Sequence, residues 1–293
     1  MRKINEIAIV NESIESNLRQ LGYSSSICEY LRKKEGLIKV NNISKRIIDY
    51  VNKGDVISLI FEDLECREIP EYKLDLEIVY EDEDIIVINK PKGLAVISTK
   101  EHYGKSLENV LAYYFKKPFI YRPVNRLDKD TSGLMIVAKN QLSHSRMAKE
   151  HIHREYLALC VGEMQGEGCI EEPIDRDYNS IIKRKVIKTG KYSKTNYKVL
   201  KNYNDYTLVK FVLETGRTHQ IRVHAAFIGH PLVGDSLYGE SKETIILEDG
   251  YVLQGQALHS AVLKFNHPIS GEKLEFISRP SFVGIDTKLE NLI

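Results

Sequence analysis

The chain has 293 residues, 42% apolar and 28% charged, with a net charge of +1, and reads as a soluble folded protein with one large domain or a large and a small one. No apolar run is long enough to span a bilayer, and the N-terminus MRKINEIAIVNESIES meets Asn and Glu before a signal core can form, which points to the cytoplasm. Cys28, Cys66, Cys160 and Cys169 have no CxxC spacing, so free, mostly buried thiols are expected rather than disulfides or a zinc site.

The near-neutral total hides an asymmetry. Residues 1–60 carry 10 basic and 7 acidic side chains, residues 61–86 carry 2 and 11, and the rest is net basic. A basic body with an acidic connector suits a polyanionic partner, although many basic faces are merely solvated.

In chain order, residues 13–21 and 24–34 read as helices, the second with Ser24 as a candidate cap. LIKVNN then alternates into an Asn pair suited to a hairpin turn, and KGDVISLIF supplies a Gly-Asp turn and another strand. These elements define a compact α+β unit over 1–62. Its Arg32, Lys33 and Lys34 are candidate phosphate contacts, or simply a wet helix face.

Residues 63–75 are acidic, contain Pro70, lack periodicity and read as a linker, which leaves 76–293 as the second domain. Strands are expected at 76–80 and 85–89, ending in Lys90-Pro91-Lys92-Gly93, where Lys90 is either a phosphate contact or part of a turn. Helices follow at 106–115 and 142–152, and a buried strand at 156–161. Between the helices lies NRLDKDTSGLMIVAKN, residues 125–140, a polar loop emptying into the apolar run Leu134 to Val137. A rigid strand can aim a reactive side chain precisely. His144, His151 and His153 do not share a helix face and read as ordinary histidines rather than metal ligands.

Residues 182–195 hold Lys183, Arg184, Lys185, Lys188, Lys191 and Lys194 without one acid, as a phosphate-contacting hairpin or a solvated loop would. Strands at 196–203 and 206–214 should pair across Asn204-Asp205. TGRTHQIRVHAAFIGHPLVGDSLYG, residues 215–239, begins at a Gly-Arg turn and runs as a helix to about Ile228, with Arg222 off its packed face. ALHSAVLKFNH, residues 257–267, is a last strand.

Taken in order, EDEDIIVINKPKGL, NRLDKDTSGLMIVAK, REYLAL, TGRTHQIRVH, GHPLVGDSLYG and ALHSAVLKFNHP resemble the RluA-type pseudouridine synthases, which isomerise uridine in structured RNA. The resemblance spans about residues 76–278, and residues 1–62 resemble the αL-type RNA-binding module that many members carry. It implies an α+β fold with a mixed, largely antiparallel catalytic sheet and RNA as partner (ribosomal more than transfer RNA); isomerisation requires no cofactor or metal, and nothing in the sequence demands more than a monomer. It also implies Asp128 as catalytic carboxylate, Arg222 as its basic partner, and Tyr156 as the active-site tyrosine, acting as base or as stacking surface. Arg126 would fill the space of a flipped base or hold the loop by a salt bridge, while Arg217 joins Lys90, Lys183, Arg184, Lys185, Arg32 and Lys33 as RNA contacts. Two positions depart from the family: Asn125 replaces the usual His before Arg126, and Ser193 a usual Ala. Two other readings differ in what they predict. A non-catalytic RNA-binding or ribosome-assembly factor would bind RNA without forming pseudouridine, and a metal hydrolase built on Asp128, His219 and His224 would be silenced by a chelator.

Overall fold

The computed structural model describes residues 2–61, 68–99, 102–116, 119–239, 244–247 and 250–283. Its N-terminal unit holds strand β1 (Arg2–Ile7), helices α1 (Ile14–Gln20) and α2 (Ser25–Arg32), and strands β2 (Ile38–Val40), β3 (Ile43–Ser44) and β4 (Val56–Phe61). Ser13 and Ser24 cap the helices, each accepting a backbone N–H three residues on. Asn41 and Asn42 take the left-handed conformation that a two-residue hairpin needs, joining β2 to β3. The four strands order as β1-β4-β2-β3 and pack with the helices around Ile14, Leu18, Ile27, Leu31, Ile57 and Leu59.

The larger unit contains β5 (Glu77–Glu81), β6 (Ile85–Lys90), α3 (Leu107–Phe115), β7 (Ser132–Ala138), α4 (Gln141–Met147), β8 (His153–Val161), β9 (Glu167–Glu171), β10 (Ile174–Arg176), β11 (Arg184–Val186), β12 (Lys194–Asn202), β13 (Tyr206–Leu213), α5 (Gln220–Phe227), β14 (Thr244–Ile246), β15 (Val252–Gln254), β16 (Leu258–Asn266) and β17 (Lys273–Ile277). One sheet runs β5-β6-β7-β16-β8-β13-β12-β9, with β17 added against β16. All its pairings are antiparallel except β7 with β16, which makes it the mixed α+β sheet expected. Both faces are covered. Ile86 and Ile88 of β6, Met135 and Val137 of β7, and Tyr156 and Ala158 of β8 join one core with α3 and α5, while Ile85, Val87, Leu134 and Ile136 join another. Burial on both sides explains why these strands read as continuous apolar runs rather than alternating ones.

Residues 68–75, expected as linker, are extended and tied to α3. Tyr72 N–H donates to Asn109 O, and Asn109 Nδ2 to Pro70 O, while Tyr72 and Leu74 pack on the core. The rest of that expected linker, 63–67, lies outside the described residues, as do Cys66 and the last ten residues. Cys28 and Cys160 are buried free thiols, but Cys169 is exposed.

The two units meet at α4. Leu142 is buried within the N-terminal core, Arg146 lies over the Tyr23 ring and pairs with Glu6, and the Ser24 and Ser145 hydroxyls are 2.7 Å apart. Arg2 reaches from β1 to Glu83 and Asp84, and Asp84 also accepts from Asn140 and Ser143.

Candidate active site

Residues 125–131 form a loop that is held from behind. Asn125 is buried and its Oδ1 accepts the N–H of Ile136 at 2.8 Å, so the start of the loop is fixed to the strand that follows it. Leu127 inserts into the core, and Thr131 N–H donates to Asp128 O. The buried Asn125 Nδ2 has no partner among the described residues.

Lys90 corrects an expectation. Rather than meeting RNA phosphate, its side chain is 0% exposed, and Nζ donates to the carbonyls of Pro91, Leu94 and Lys129 at 2.8 to 2.9 Å. Three inward carbonyls at the end of β6 need three N–H groups, which an ammonium supplies. Burial pushes this ammonium down to about 7, and Asp130 and Asp128 oppose that. It anchors the loop that carries Asp128 and is unavailable to a ligand.

The opposite wall comes from the start of α5, which begins later than periodicity suggested. Residues 215–219 form a turn around Gln220, whose Oε1 accepts from Thr215 Oγ1 and Arg217 N–H and whose Nε2 donates to Lys194 O and Thr195 Oγ1. His219, at φ 59°, is left-handed, and the helix proper starts after it.

One turn into the helix is Arg222. Its Nη1 donates to Asp128 Oδ2 at 2.9 Å, while Nε and Nη2 donate to the two oxygens of Asp235 at 2.7 and 2.8 Å. The three side chains are graded in exposure: 27% for Asp128, 9% for Arg222 and 0% for Asp235. A bidentate carboxylate in the interior thus orients the guanidinium, whose outer edge faces the more accessible acid. Burial lowers the Arg222 pKa, but the hydrogen bonds and charges of Asp235 and Asp128 more than offset it, and the net shift is upward.

Between these walls lies a cavity of about 830 Å³, lined by Asn125, Arg126, Asp128, Tyr156, His219 and Arg222 among others. Tyr156 is buried, and desolvation raises its phenol, with Arg154 and Ser260 opposing in part. Arg126 is exposed on the cavity wall and makes no ion pair among the described residues, so it does not hold the loop by a salt bridge. Arg217 and Arg184 also line the cavity, and Arg217 Nε donates to Tyr192 O. Arg184 begins β11, half of a two-stranded ribbon with β10. Its neighbours Lys183 and Lys185 are exposed and outside the cavity lining, and Lys185 pairs with Asp177. Arg32 and Lys33 belong to the N-terminal unit, and Arg32 is paired with Glu15.

A family model described as RNA pseudouridylate synthase matches residues 84–227, from the start of β6 through α5. An uncharacterized RNA pseudouridine synthase of Bacillus subtilis (strain 168) is 38% identical over 254 residues, covering 83% of this chain and 82% of its own. This chain belongs to the RluA-type RNA pseudouridine synthases. The ribosomal large subunit pseudouridine synthase D of Vibrio cholerae is also 38% identical, over 260 residues, covering 83% and 79% of the two chains. Among solved structures, human RNA pseudouridylate synthase domain containing 1 aligns with a TM-score of 0.58 and 26% identity over 75% of this chain and 88% of that one. The protein is therefore an RNA pseudouridine synthase with RNA as its substrate.

For this pseudouridine synthase the hydrolase alternative loses one of its two histidines. His224 is fully buried, with Nδ1 on Thr195 Oγ1 and Nε2 on Glu172 O, so neither nitrogen is free to share a ligand with Asp128. The grouping of potential ligands close enough to hold an ion among the described residues is Asp82, Asp84 and His267, outside the cavity lining. Ser193, the second departure from the family, is buried and donates its hydroxyl to Lys191 O. Asp235, Gln220 and Tyr238 went unrecognised in the sequence reading. Asp235 had one signal: its side chain accepts the N–H groups of Leu237 and Tyr238, as an Asp opening a turn does.

Proposed function

We propose that Asp128 is the catalytic carboxylate, paired with Arg222, and that this enzyme converts uridine in ribosomal RNA. The observation that carries the reading is the Asp128–Arg222–Asp235 chain, in which a permanently charged guanidinium is held by a fully buried acid and faces a partly exposed one. Isomerisation breaks the N1–C1′ bond, turns the base while it stays bound, joins C5 to C1′ and releases the C5 hydrogen as a proton while N1 regains one. Substrate and product have the same atoms and oxidation level, so the residues need supply only charge, proton transfer and enclosure. An ionised Asp128 can attack C1′ or assist elimination from the sugar, and both routes need its charge to survive once the cavity is dry.

Tyr156 then serves as a protonated ring beside the uracil rather than as a base, because burial raises its phenol further above neutrality. Arg126, exposed and without an ion pair among the described residues, is suited to occupy the place that a flipped base leaves, offsetting an unstacking cost of about a few kcal/mol. Arg217 and Arg184 at the cavity, with Lys183 and Lys185 beyond it, would meet phosphates. The N-terminal unit would act as an αL-type RNA-binding module through Arg32 and Lys33. Ribosomal RNA is favoured because the Vibrio cholerae relative is a ribosomal large subunit enzyme. No helix among the described residues is long and apolar enough to cross a membrane, and the full proposal is a cytoplasmic monomer.

The test is pseudouridine mapping of total RNA from cells lacking this protein, complemented with wild type or Asp128→Asn. Wild type should restore a missing site, and Asp128→Asn should lower conversion by about a thousandfold while RNA affinity stays within about twofold. Conversion by Asp128→Asn near the wild-type rate overturns the assignment.

A further inference from the structure

The left-handed His219 is held by a neighbour that reaches out of the catalytic cavity to the basic ribbon. The Tyr238 hydroxyl accepts the backbone N–H of Arg184 at 2.8 Å, so its own proton is left to donate to Nδ1 of His219, 2.7 Å away. With Nδ1 accepting, the ring hydrogen stays on Nε2, and that atom lies 3.7 Å from Asp128 Oδ2. One hydroxyl thus joins the first residue of β11 to the imidazole beside the catalytic carboxylate. The rest of Tyr238 is fixed independently: its ring faces the Arg222 guanidinium at 5.0 Å, and its N–H donates to Asp235 Oδ1. The groups around His219 are Asp128, Arg222, Asp235, Arg184 and Tyr238, and all belong to this same assembly.

We propose that Tyr238 and His219 form a strut through which RNA seated on the β10–β11 ribbon sets the position of Asp128 against Arg222. The proposal rests on the reading of Asp128 as the catalytic carboxylate. Both strut members are positioning residues. The ribbon carries Lys183 and Lys185 on its exposed side and offers its Arg184 backbone amide to the strut, so a phosphate contact on one side is transmitted to the carboxylate on the other. RNA binding energy gained at a distance is thereby used for orientation at the reacting centre, where it raises turnover rather than affinity.

The full-length protein is tested with RNA purified from cells lacking it and labelled with 5-tritiated uridine, because tritium leaves C5 when pseudouridine forms. Tyr238→Phe removes the hydroxyl and keeps the ring under Arg222 and the amide on Asp235. It should slow single-turnover release at saturating RNA by about tenfold, with affinity within about twofold. His219→Asn, a residue that tolerates the left-handed backbone, should slow it equally, and the double variant should be no slower than His219→Asn alone. Lys185→Ala should lower both affinity and rate in the wild-type background but only affinity beside Tyr238→Phe. An active wild type with an unimpaired Tyr238→Phe, or with fully additive Lys185→Ala and Tyr238→Phe effects on rate, overturns the strut alone. No tritium release by the wild type on RNA that it binds overturns the reading of the site and the strut with it.

Discussion

Arg222 is shared by two acids that differ in what they give it. Asp235 offers two oxygens from the interior, and Asp128 one oxygen from the cavity wall. Asp235→Ala should therefore cost about 3 kcal/mol of unfolding free energy, measured by urea titration, because it leaves a buried cation with half its partners. Asp235→Asn keeps the shape and should cost less. Asp128 and Arg222 are singled out by the resemblance of NRLDKDTSGLMIVAK and TGRTHQIRVH to the family, and the fold brings their side chains together. Asp235 was not legible, since its partner lies 13 residues earlier in another element and only folding brings them together. Lys90 was misread for a related reason. A lysine at a strand end ordinarily meets solvent, and the three carbonyls that enclose this one, Pro91, Leu94 and Lys129, come partly from the distant loop of residues 125–131. Asn125, the departure from the family pattern before Arg126, accepts the Ile136 N–H and so holds the loop to β7.

The parallel contact between β7 and β16 is where the loop of residues 125–131 enters the sheet, and it leaves no room for a side chain at Gly133. At Gly133, with φ 108°, an added Cβ would lie 2.3 Å from Ser260 O. Gly133→Ala should cost about 3 kcal/mol or more in thermal or urea unfolding, through both the backbone conformation and the clash. Beside it, His259 is buried between the hydroxyls of Ser132 and Ser278, and its pKa is pushed down to about 4 by burial. Above pH 6.5 folded and unfolded chains both hold it neutral. As pH falls from about 6.5 to 4 the unfolded chain takes up a proton that the fold refuses, so stability should drop there by about 3 kcal/mol at most. Urea titrations across this window should find that part of the slope missing in His259→Gln. Strands with apolar sequences were legible, but β1 was not: Arg2 and Glu6 lie on its less exposed side, and their partners, Asp84, Tyr23 and Arg146, lie far along the chain. Likewise α4 ends at Met147, short of the expected 152, because His153 and Arg154 are drawn into pairing with β16.

Across the whole molecule, α4 belongs to both units. Leu142 is 1% exposed within the N-terminal core although its helix follows β7 of the catalytic sheet. Leu142→Ala should cost about 2 to 5 kcal/mol and uncouple the units, so that thermal unfolding splits into two transitions. The acidic composition of 63–75 suggested a tether, but composition carries no information about Tyr72 and Leu74 finding the α3 side of the core. With Arg2, Ser24 and Leu142 all engaged across the seam, the basic residues of the two units keep a set separation. With the N-terminal unit in its proposed role, the protein would act as a caliper, expected to choose RNA by the distance between two phosphate tracks as well as by the sequence around the uridine. A base-paired insertion between those tracks should weaken wild-type binding and be better tolerated once Leu142→Ala lets the jaws slide.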